Sequence, residues 1–309
     1  MFFHPQVNYG KLFAAGDGGG RIRIWETDTW NKIKVIEQQD DCILALKFSI
    51  DGRIFATGHG GTGISSSIHL WDSISFKHLE ILQGHIAGIY GLDFSPDGKK
   101  LSSCSHDSDI FIWDINKKTF TKKFCGHSQT VFSVAFSKLD NFIVSGGYDG
   151  TIRVWNLENE KKYIISRAYA EVRSLRFSPD GKYLLSASED GLIKMWNWLD
   201  LVNSEFSIDG FEIDTKKFIE RNSYRRVCSV DINKHNIVAA GTADDGTLWL
   251  WPLQYGQIIF KKTKHFSFIW NVRFNPVTDM IATCGEEDGN IFIWDCNSSE
   301  LIKNIKAED

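Results

Sequence analysis

Short runs of alternating apolar and polar residues, each containing a tryptophan, recur seven times along the 309-residue chain. They read RIRIWE, SIHLWD, IFIWD, TIRVWN, LIKMWN, LWLWP and IFIWD, with tryptophans at Trp25, Trp71, Trp113, Trp155, Trp196, Trp251 and Trp294. Alternation with a period of two is typical of half-buried β-strands. The tryptophans are 41 to 46 residues apart, apart from an interval of 55 before Trp251. A strand-rich repeat of this length predicts propeller blades.

Two turn motifs recur in step with the tryptophans. The first ends a strand in turn residues, as in FSIDG from Phe48 and FSPDG from Phe94 and Phe177. The second is Asp-Gly or a related pair six residues before the tryptophan, at Asp107, Asp149, Asp190, Asp245 and Asp288. Two residues that tolerate positive φ between apolar strands predict a tight hairpin.

These strands and turns resemble the WD-repeat (WD40-type) β-propeller family over nearly the whole chain. The resemblance implies an all-β fold with seven four-stranded antiparallel blades. We expect one domain over residues 1–309, because no linker separates the repeats, with blades at about 1–37, 38–82, 83–124, 125–165, 166–220, 221–262 and 263–309. Phe3 aligns with Phe94 near the end of a first strand, so we expect no N-terminal strand to close the last blade.

Well-formed blades of this family bury a hydrogen-bonded set of Trp, Ser or Thr, His and Asp, and the resemblance assigns such sets here. They are His85, Ser103, Asp107 and Trp113; His127, Ser145, Asp149 and Trp155; and His265, Asp288 and Trp294, with Thr283 one position out of step. A buried indole N–H needs an acceptor, and a chain of partners leaves no polar group unpaired. Gln39, Ala168 and Ser223 replace the histidine in other blades and Ser65 replaces a turn aspartate, so we expect those blades to be less rigid.

Composition limits the possible functions. Lysine and arginine total 35 against 39 acidic residues, and a net charge of −4 gives no signal for nucleic-acid binding. No apolar stretch is long enough to span a bilayer, and the N-terminus lacks the features of a secretion signal. The six cysteines fall singly in different repeats, which favours reduced core thiols and a cytoplasmic or other reducing location.

Candidate catalytic and metal motifs have structural explanations. The glycine-rich stretch from Gly16 to Gly20 lacks the phosphate-loop pattern and lies between two strand patterns, so a hairpin turn is favoured. Asp107-Ser108-Asp109 lacks the later calcium ligands and is also interpreted as a turn. The register of His85, His127 and His265 favours core residues over metal ligands or acid-base groups. We therefore expect no cofactor, no metal and no catalysis.

Family members often bind partners on a top face, through the third and fifth residues after the histidine position and the residue before the hairpin aspartate. By register this face takes in Tyr90, His106, Thr130, Phe132, Tyr148, Glu171, Arg173, Glu189, Arg226, Asp244, Phe268, Trp270 and Glu287. Aromatic and arginine side chains are enriched in interface cores and hot spots. The residues favoured for contact are Tyr90, His106, Phe132, Tyr148, Arg173, Arg226, Phe268 and Trp270, with the two arginines expected to hold acidic groups.

Two classes of function remain open. The favoured one is a non-catalytic scaffold or adaptor that binds a protein or peptide partner. The alternative is a small-ligand or metal-assisted enzyme that uses Glu171, Glu189, Asp244 and Glu287. Carboxylates that converge around a bound cation would favour the enzyme. Carboxylates that are splayed apart and separately paired with other side chains would favour the scaffold. The long segment between Asn197 and Arg226 is a second candidate partner contact, although an extended hairpin or loop is favoured there.

Overall fold

Strand order follows chain order in all seven sheets of the protein, each with four strands. The computed structural model describes residues 1–5, 11–37, 42–60, 66–207, 211–214, 226–253, 259–266, 268–285 and 289–306. The prediction of a seven-bladed β-propeller with four-stranded antiparallel blades is confirmed. The chain divides into two compact units, Met1–Gly147 and Tyr148–Asp309.

The first unit contains three whole blades and the first half of the fourth. The first blade is β1 (Phe2–Phe3), β2 (Leu12–Gly16), β3 (Arg21–Glu26) and β4 (Lys32–Glu37). The second is β5 (Ile43–Phe48), β6 (Ile54–His59), β7 (Ser67–Asp72) and β8 (His78–Gln83). The third is β9 (Ile89–Phe94), β10 (Lys100–Ser105), β11 (Asp109–Asp114) and β12 (Thr119–Cys125). The fourth begins with β13 (Val131–Phe136) and β14 (Phe142–Gly147).

The second unit contains the remaining strands and one short helix. They are β15 (Thr151–Asn156) and β16 (Lys162–Arg167); then β17 (Val172–Phe177), β18 (Tyr183–Ser188), β19 (Leu192–Asn197), helix α1 (Trp198–Asn203) and β20 (Phe211–Asp214). The sixth blade is β21 (Val227–Ile232), β22 (Ile237–Thr242), β23 (Thr247–Pro252) and β24 (Phe260–Thr263). The last is β25 (Ile269–Phe274), β26 (Met280–Gly285), β27 (Asn290–Asp295) and β28 (Leu301–Lys306).

The short strand β1 belongs to the first blade. Its residues Phe2 and Phe3 pair with Ala14 and Phe13. The four strands of the last blade all come from 269–306, so among the described residues no N-terminal strand joins that blade, as expected.

The turn motifs form the predicted hairpins. Asp149 and Asp190 each accept a hydrogen bond from the backbone N–H two residues further on, and the glycines that follow them, Gly150 and Gly191, have φ of 70° and 84°. The carboxylate takes up an N–H that the turn leaves unpaired, and glycine adopts positive φ without a steric penalty. The glycine-rich stretch after Gly16 likewise joins β2 to β3, so it is a hairpin turn.

The core consists of the apolar faces of these strands. All seven repeat tryptophans are buried, from 1% exposed at Trp113 to 4% at Trp71. In the first unit Trp113 packs in a cluster with Ile68 and Leu92, and in the second Trp251 packs with Ile193 and Val230. Each of these two clusters joins strands of two consecutive blades, so the two blades of each pair depend on each other for a buried face.

The long interval before Trp251 begins with α1 and then supplies β20 as the fourth strand of the fifth blade. Asn197 caps the helix by accepting a hydrogen bond from the backbone N–H of Asp200. Up to Asp214 the segment therefore forms an outer hairpin, one of the two forms favoured for it, with α1 in the connection. Whether the segment contacts a partner stays a prediction. No helix in the described part of the chain is long and apolar enough to cross a membrane.

Candidate functional site

A β-bulge recurs in the first strand of six blades, one residue after the strand begins. In the third blade Ile89 pairs with Ser105 and Gly91 with Cys104, so Tyr90 has no partner in the ladder. A bulge leaves one residue unpaired and redirects its side chain. The residues skipped in this way are Leu44, Tyr90, Phe132, Arg173, Cys228 and Trp270. Four of them are residues that the sequence predicts for partner contact.

In the first unit the bulges bring apolar side chains together. The rings of Tyr90 and Phe132 meet edge to face, with centroids 5.4 Å apart. A Cβ atom on Gly88 would lie 3.1 Å from Leu44 Cδ1 and 3.8 Å from Tyr90 Cε2, so glycine leaves room for the two side chains on either side of it. Tyr90 and Leu44 are each 38% exposed. We call Leu44, Tyr90 and Phe132 the Tyr90 cluster.

Two polar residues predicted for this face lie beside that cluster. His106 donates its backbone N–H to the carbonyl of Gly88. Its ring Nδ1 is hydrogen-bonded to the hydroxyl of Thr130, and Thr130 itself is buried. His106 remains exposed, so it adds a polar edge to an otherwise apolar patch.

In the second unit the predicted residues form an alternating chain of charges. Arg173 pairs with Glu171 and, at 2.7 Å, with Glu189. Arg226 lies 3.5 Å from Glu189 and 3.0 Å from Asp244. In this network of ion pairs the residues follow one another in the order Glu171, Arg173, Glu189, Arg226 and Asp244. We call these five residues the charged chain.

Aromatic rings lie against the two arginines. The guanidinium carbon of Arg226 is 5.0 Å from the ring centroid of Phe268, and that of Arg173 is 5.8 Å from Trp270. The two rings stack with centroids 5.9 Å apart. Trp270 is 41% exposed, so it offers an open aromatic surface beside the charges.

Glu171 lies at one end of the charged chain. Burial raises the pKa of its carboxyl group and the negative charge of Glu189 adds to this, whereas Arg173 and a hydrogen bond from Tyr148 oppose the shift. At the other end, Asp244 also accepts the backbone N–H of Arg226 at 2.7 Å. Each carboxylate of the chain is therefore paired with an arginine.

The predicted polar sets occupy the blade interiors. In the third blade His85 bonds Asp107 at 2.8 Å and Ser103 at 2.7 Å, and Trp113 donates its indole N–H to Ser103 at 2.8 Å. In the fourth blade His127 bonds Ser145 at 2.7 Å; Asp149 lies at the hairpin and Trp155 is buried. In the last blade His265 bonds Thr283 at 2.9 Å, and Trp294 donates to the same hydroxyl at 3.1 Å. Thr283 thus fills the acceptor position despite its shifted spacing.

Several predicted residues lie outside the described part of the chain: Gln39, Ser65, Ser223, Glu287 and Asp288. The indoles of Trp196 and Trp251, in blades where the histidine is replaced, have no hydrogen-bond partner among the described residues. No group of three or more His, Cys, Asp or Glu side chains within the described ranges could hold a metal ion.

Comparison with known proteins decides the family. The model of the WD domain, G-beta repeat, matches residues 30–72, 76–114, 118–156, 161–197 and 256–295. The chain belongs to the WD-repeat family. A solved structure titled "Structure of U3-55K" superposes with a TM-score of 0.78 at 19% identity, covering 91% of this chain and 86% of that one.

Curated relatives match over shorter stretches. WD repeat and SOCS box-containing protein 1 of Xenopus tropicalis is 28% identical over 109 residues, which cover 35% of this WD-repeat chain and 25% of the relative. Guanine nucleotide-binding protein subunit beta-2 of Caenorhabditis elegans is 31% identical over 113 residues, covering 36% and 29% respectively. The matched stretch thus covers less than a third of either relative.

The prediction of contact residues missed one feature of the WD-repeat scaffold. The residues directly after the histidine position, Ile86, Tyr169 and Phe266, are 89%, 97% and 86% exposed. The backbone N–H groups of Ile86 and Tyr169 are bonded to the hairpin aspartates Asp107 and Asp190.

Leu44 was missed as well. It lies five residues after Gln39, so it fits the rule that the fifth residue after the histidine position belongs to the predicted face. The spacing could have identified all four.

Proposed function

We propose that this WD-repeat protein is a non-catalytic interaction scaffold that binds a protein partner through the residues at its blade bulges. The observation that carries the proposal is the recurrence of the bulge. It removes Tyr90, Phe132 and Trp270 from the ladder at equivalent positions of their blades. Large apolar side chains held partly exposed on rigid strands are typical of contact sites.

Family membership supports a role in protein interaction. WD-repeat propellers are typically protein-interaction scaffolds. One relative is by name a subunit of a guanine nucleotide-binding protein, which is a component of an assembly. A patterned surface is sufficient for such a role, whereas catalysis requires convergent reactive groups.

The charged chain favours the scaffold over an enzyme. A general acid, base or metal ligand needs a carboxylate that is available to substrate or metal. Glu171, Glu189 and Asp244 are instead each paired with an arginine. We also propose a cytoplasmic or other reducing location, because the six cysteines, all of them described residues, form no disulfide.

Affinity capture from cell extract tests the proposal. The baits are the intact protein, the double variant Tyr90→Ala/Phe132→Ala and the single variant Trp270→Ala. Leu79→Ala and Ile164→Ala are matched controls, since both residues are similarly exposed, at 47% and 40%, but lie on fourth strands. Proteins retained by the intact bait and both controls should be lost from the bulge variants.

Circular dichroism and melting temperature should stay nearly unchanged in all four variants, because the altered side chains are partly exposed. If the bulge variants retain the same partners as the controls, the assignment is wrong. The segment between Asn197 and Arg226 then becomes the leading candidate.

A further inference from the structure

The charged chain has carboxylates at both ends. It holds two arginines, Arg173 and Arg226, and three acidic residues, Glu171, Glu189 and Asp244. Among the described residues, each arginine lies between two carboxylates, whereas each terminal carboxylate has one arginine neighbour. With all five side chains ionised, this set carries one negative charge in excess.

The arginines have little capacity left for an acidic ligand. Arg173 contacts two carboxylates and the ring of Trp270, and Arg226 contacts two carboxylates and the ring of Phe268. An incoming anion would have to displace a carboxylate of the chain and leave it uncompensated. Truncating or displacing one partner of such a pair is costly when the other charge is shielded from water. This pairing removes the reason to expect that the two arginines hold acidic groups of a partner.

A cation does not have to displace an arginine, because a carboxylate has about four acceptor sites and can bond more than one cationic group. Asp244 is the most accessible carboxylate of the chain, with its side chain 32% exposed, against 16% for Glu171 and 11% for Glu189. The ring of Trp270 is 41% exposed in the same unit. Carboxylates bond the cationic groups of lysine and arginine, and an aromatic face attracts them and packs against their aliphatic stems.

We propose that the surface formed by the charged chain, Phe268 and Trp270 binds a lysine or arginine side chain of the protein partner. This inference rests on the proposed function and assigns the chemistry of the contact in the second unit. The buried Glu171 is consistent with it, because burial raises the pKa of its carboxyl group and so disfavours the ionised form. A nearby cation would favour that ionised form.

Short peptides test the chemistry directly. The probes are synthetic peptides with one central lysine or arginine beside a leucine, and the same peptides with glutamate in place of the basic residue. Binding to the intact protein is followed by fluorescence anisotropy at low and moderate salt. The basic peptides should bind more tightly than the glutamate peptides, and their affinity should fall as salt rises, because screening weakens exposed charge pairs.

Matched variants locate the contact. Asp244→Asn keeps the shape of the side chain and removes one charge, so the basic peptides should bind roughly tenfold more weakly, the loss typical of one charge-assisted hydrogen bond. Lys162→Gln, on a fourth strand of the same unit, is the control and should leave binding unchanged. Circular dichroism checks that both variants fold.

Tighter binding of the glutamate peptides, equal binding of both series, or no binding of either would overturn the proposal. So would unchanged basic-peptide affinity in Asp244→Asn. Failure of this inference is distinguishable from failure of the scaffold function. If Trp270→Ala loses its captured partners but Asp244→Asn retains them, the scaffold stands and the charge assignment falls.

Discussion

Thr57 accepts the indole N–H of Trp71 over 3.0 Å, which gives the second blade a polar set that its sequence register does not predict. His59, two residues further along the same strand, bonds the Thr57 hydroxyl at 2.8 Å. The histidine thus comes from the second strand of the blade and replaces the missing one at Gln39. The register rule did not identify this set, because it considers only one possible source of the histidine. The expectation that this blade is less rigid stays a prediction.

Two serines at equivalent positions test what a complete set contributes to stability. Ser103 accepts from Trp113 and bonds His85, whereas Ser186 occupies the same register in a blade where Trp196 has no described partner. Replacing Ser103 by alanine leaves two buried polar groups unpaired. Ser103→Ala should therefore lower the free energy of unfolding by about 1–3 kcal/mol more than Ser186→Ala. Urea denaturation measures both, and equal losses would contradict a stabilising role for the set.

Three histidines lie together in the second blade. His69 bonds Ser67 at 3.0 Å and His78 at 3.1 Å, and its ring centroid lies 4.5 Å from that of His59. Burial, together with the neighbouring charges that His59 and His78 would carry, lowers the pKa of His69 from 6.5 to about 3. The folded protein thus holds His69 neutral at a pH where the unfolded chain binds a proton.

Folding stability should therefore fall as the pH drops below about 6.5, because the unfolded state takes up a proton that His69 in the folded state does not. Phenylalanine occupies the equivalent register in two other blades, at Phe111 and Phe292. His69→Phe should therefore flatten the decline in urea midpoint between about pH 7 and pH 5. The lowered pKa of Asp107 affects stability only at lower pH. A decline as steep in the variant as in the wild type would exclude His69 as the cause.

The cysteines should differ sharply in reactivity. Cys228 and Cys296 are both buried. Burial raises the pKa of each thiol to about 12, so both are almost fully protonated at neutral pH. Cys125 is exposed and Cys42 partly exposed. Because a reagent must reach the sulfur, and because the thiolate is the nucleophile, a maleimide should label the more accessible Cys42 and Cys125 well before the buried, protonated Cys228 and Cys296 in the native protein. Mass spectrometry over a time course checks the order, and early labelling of Cys228 would contradict it.

The sequence was sufficient to predict the features that depend on residues close together along the chain. Hairpins such as the one at Asp149 depend on adjacent residues, and the strands follow from alternation, so both could be predicted. The exposed positions of Tyr90 and Trp270 also followed from register within each repeat. The charged chain could not be predicted, because Glu189 and Arg226 come from different blades and meet only after folding. The bulges could not be predicted either, because they depend on how two strands pair.

The start of the long segment after Trp196 is anchored by one aromatic side chain. Phe206 is 8% exposed, with its ring centroid 4.5 Å from that of Tyr163 and 6.0 Å from that of Trp198. Trp198, on α1, in turn meets Phe177 edge to face at 4.8 Å. These contacts hold the helix against β16 and β17.

Removing that ring should leave a cavity beneath the helix, since Tyr163 and Trp198 are fixed by their own strand and helix. Phe206→Ala should therefore lower the free energy of unfolding by about 3–5 kcal/mol. Leu199→Ala, one residue into the same helix but 51% exposed, is the matched control and should change it by less than about 0.5 kcal/mol. Urea denaturation followed by tryptophan fluorescence measures both variants. If the two losses are equal, the helix is not held by Phe206, and the segment between Asn197 and Arg226 is attached through other residues.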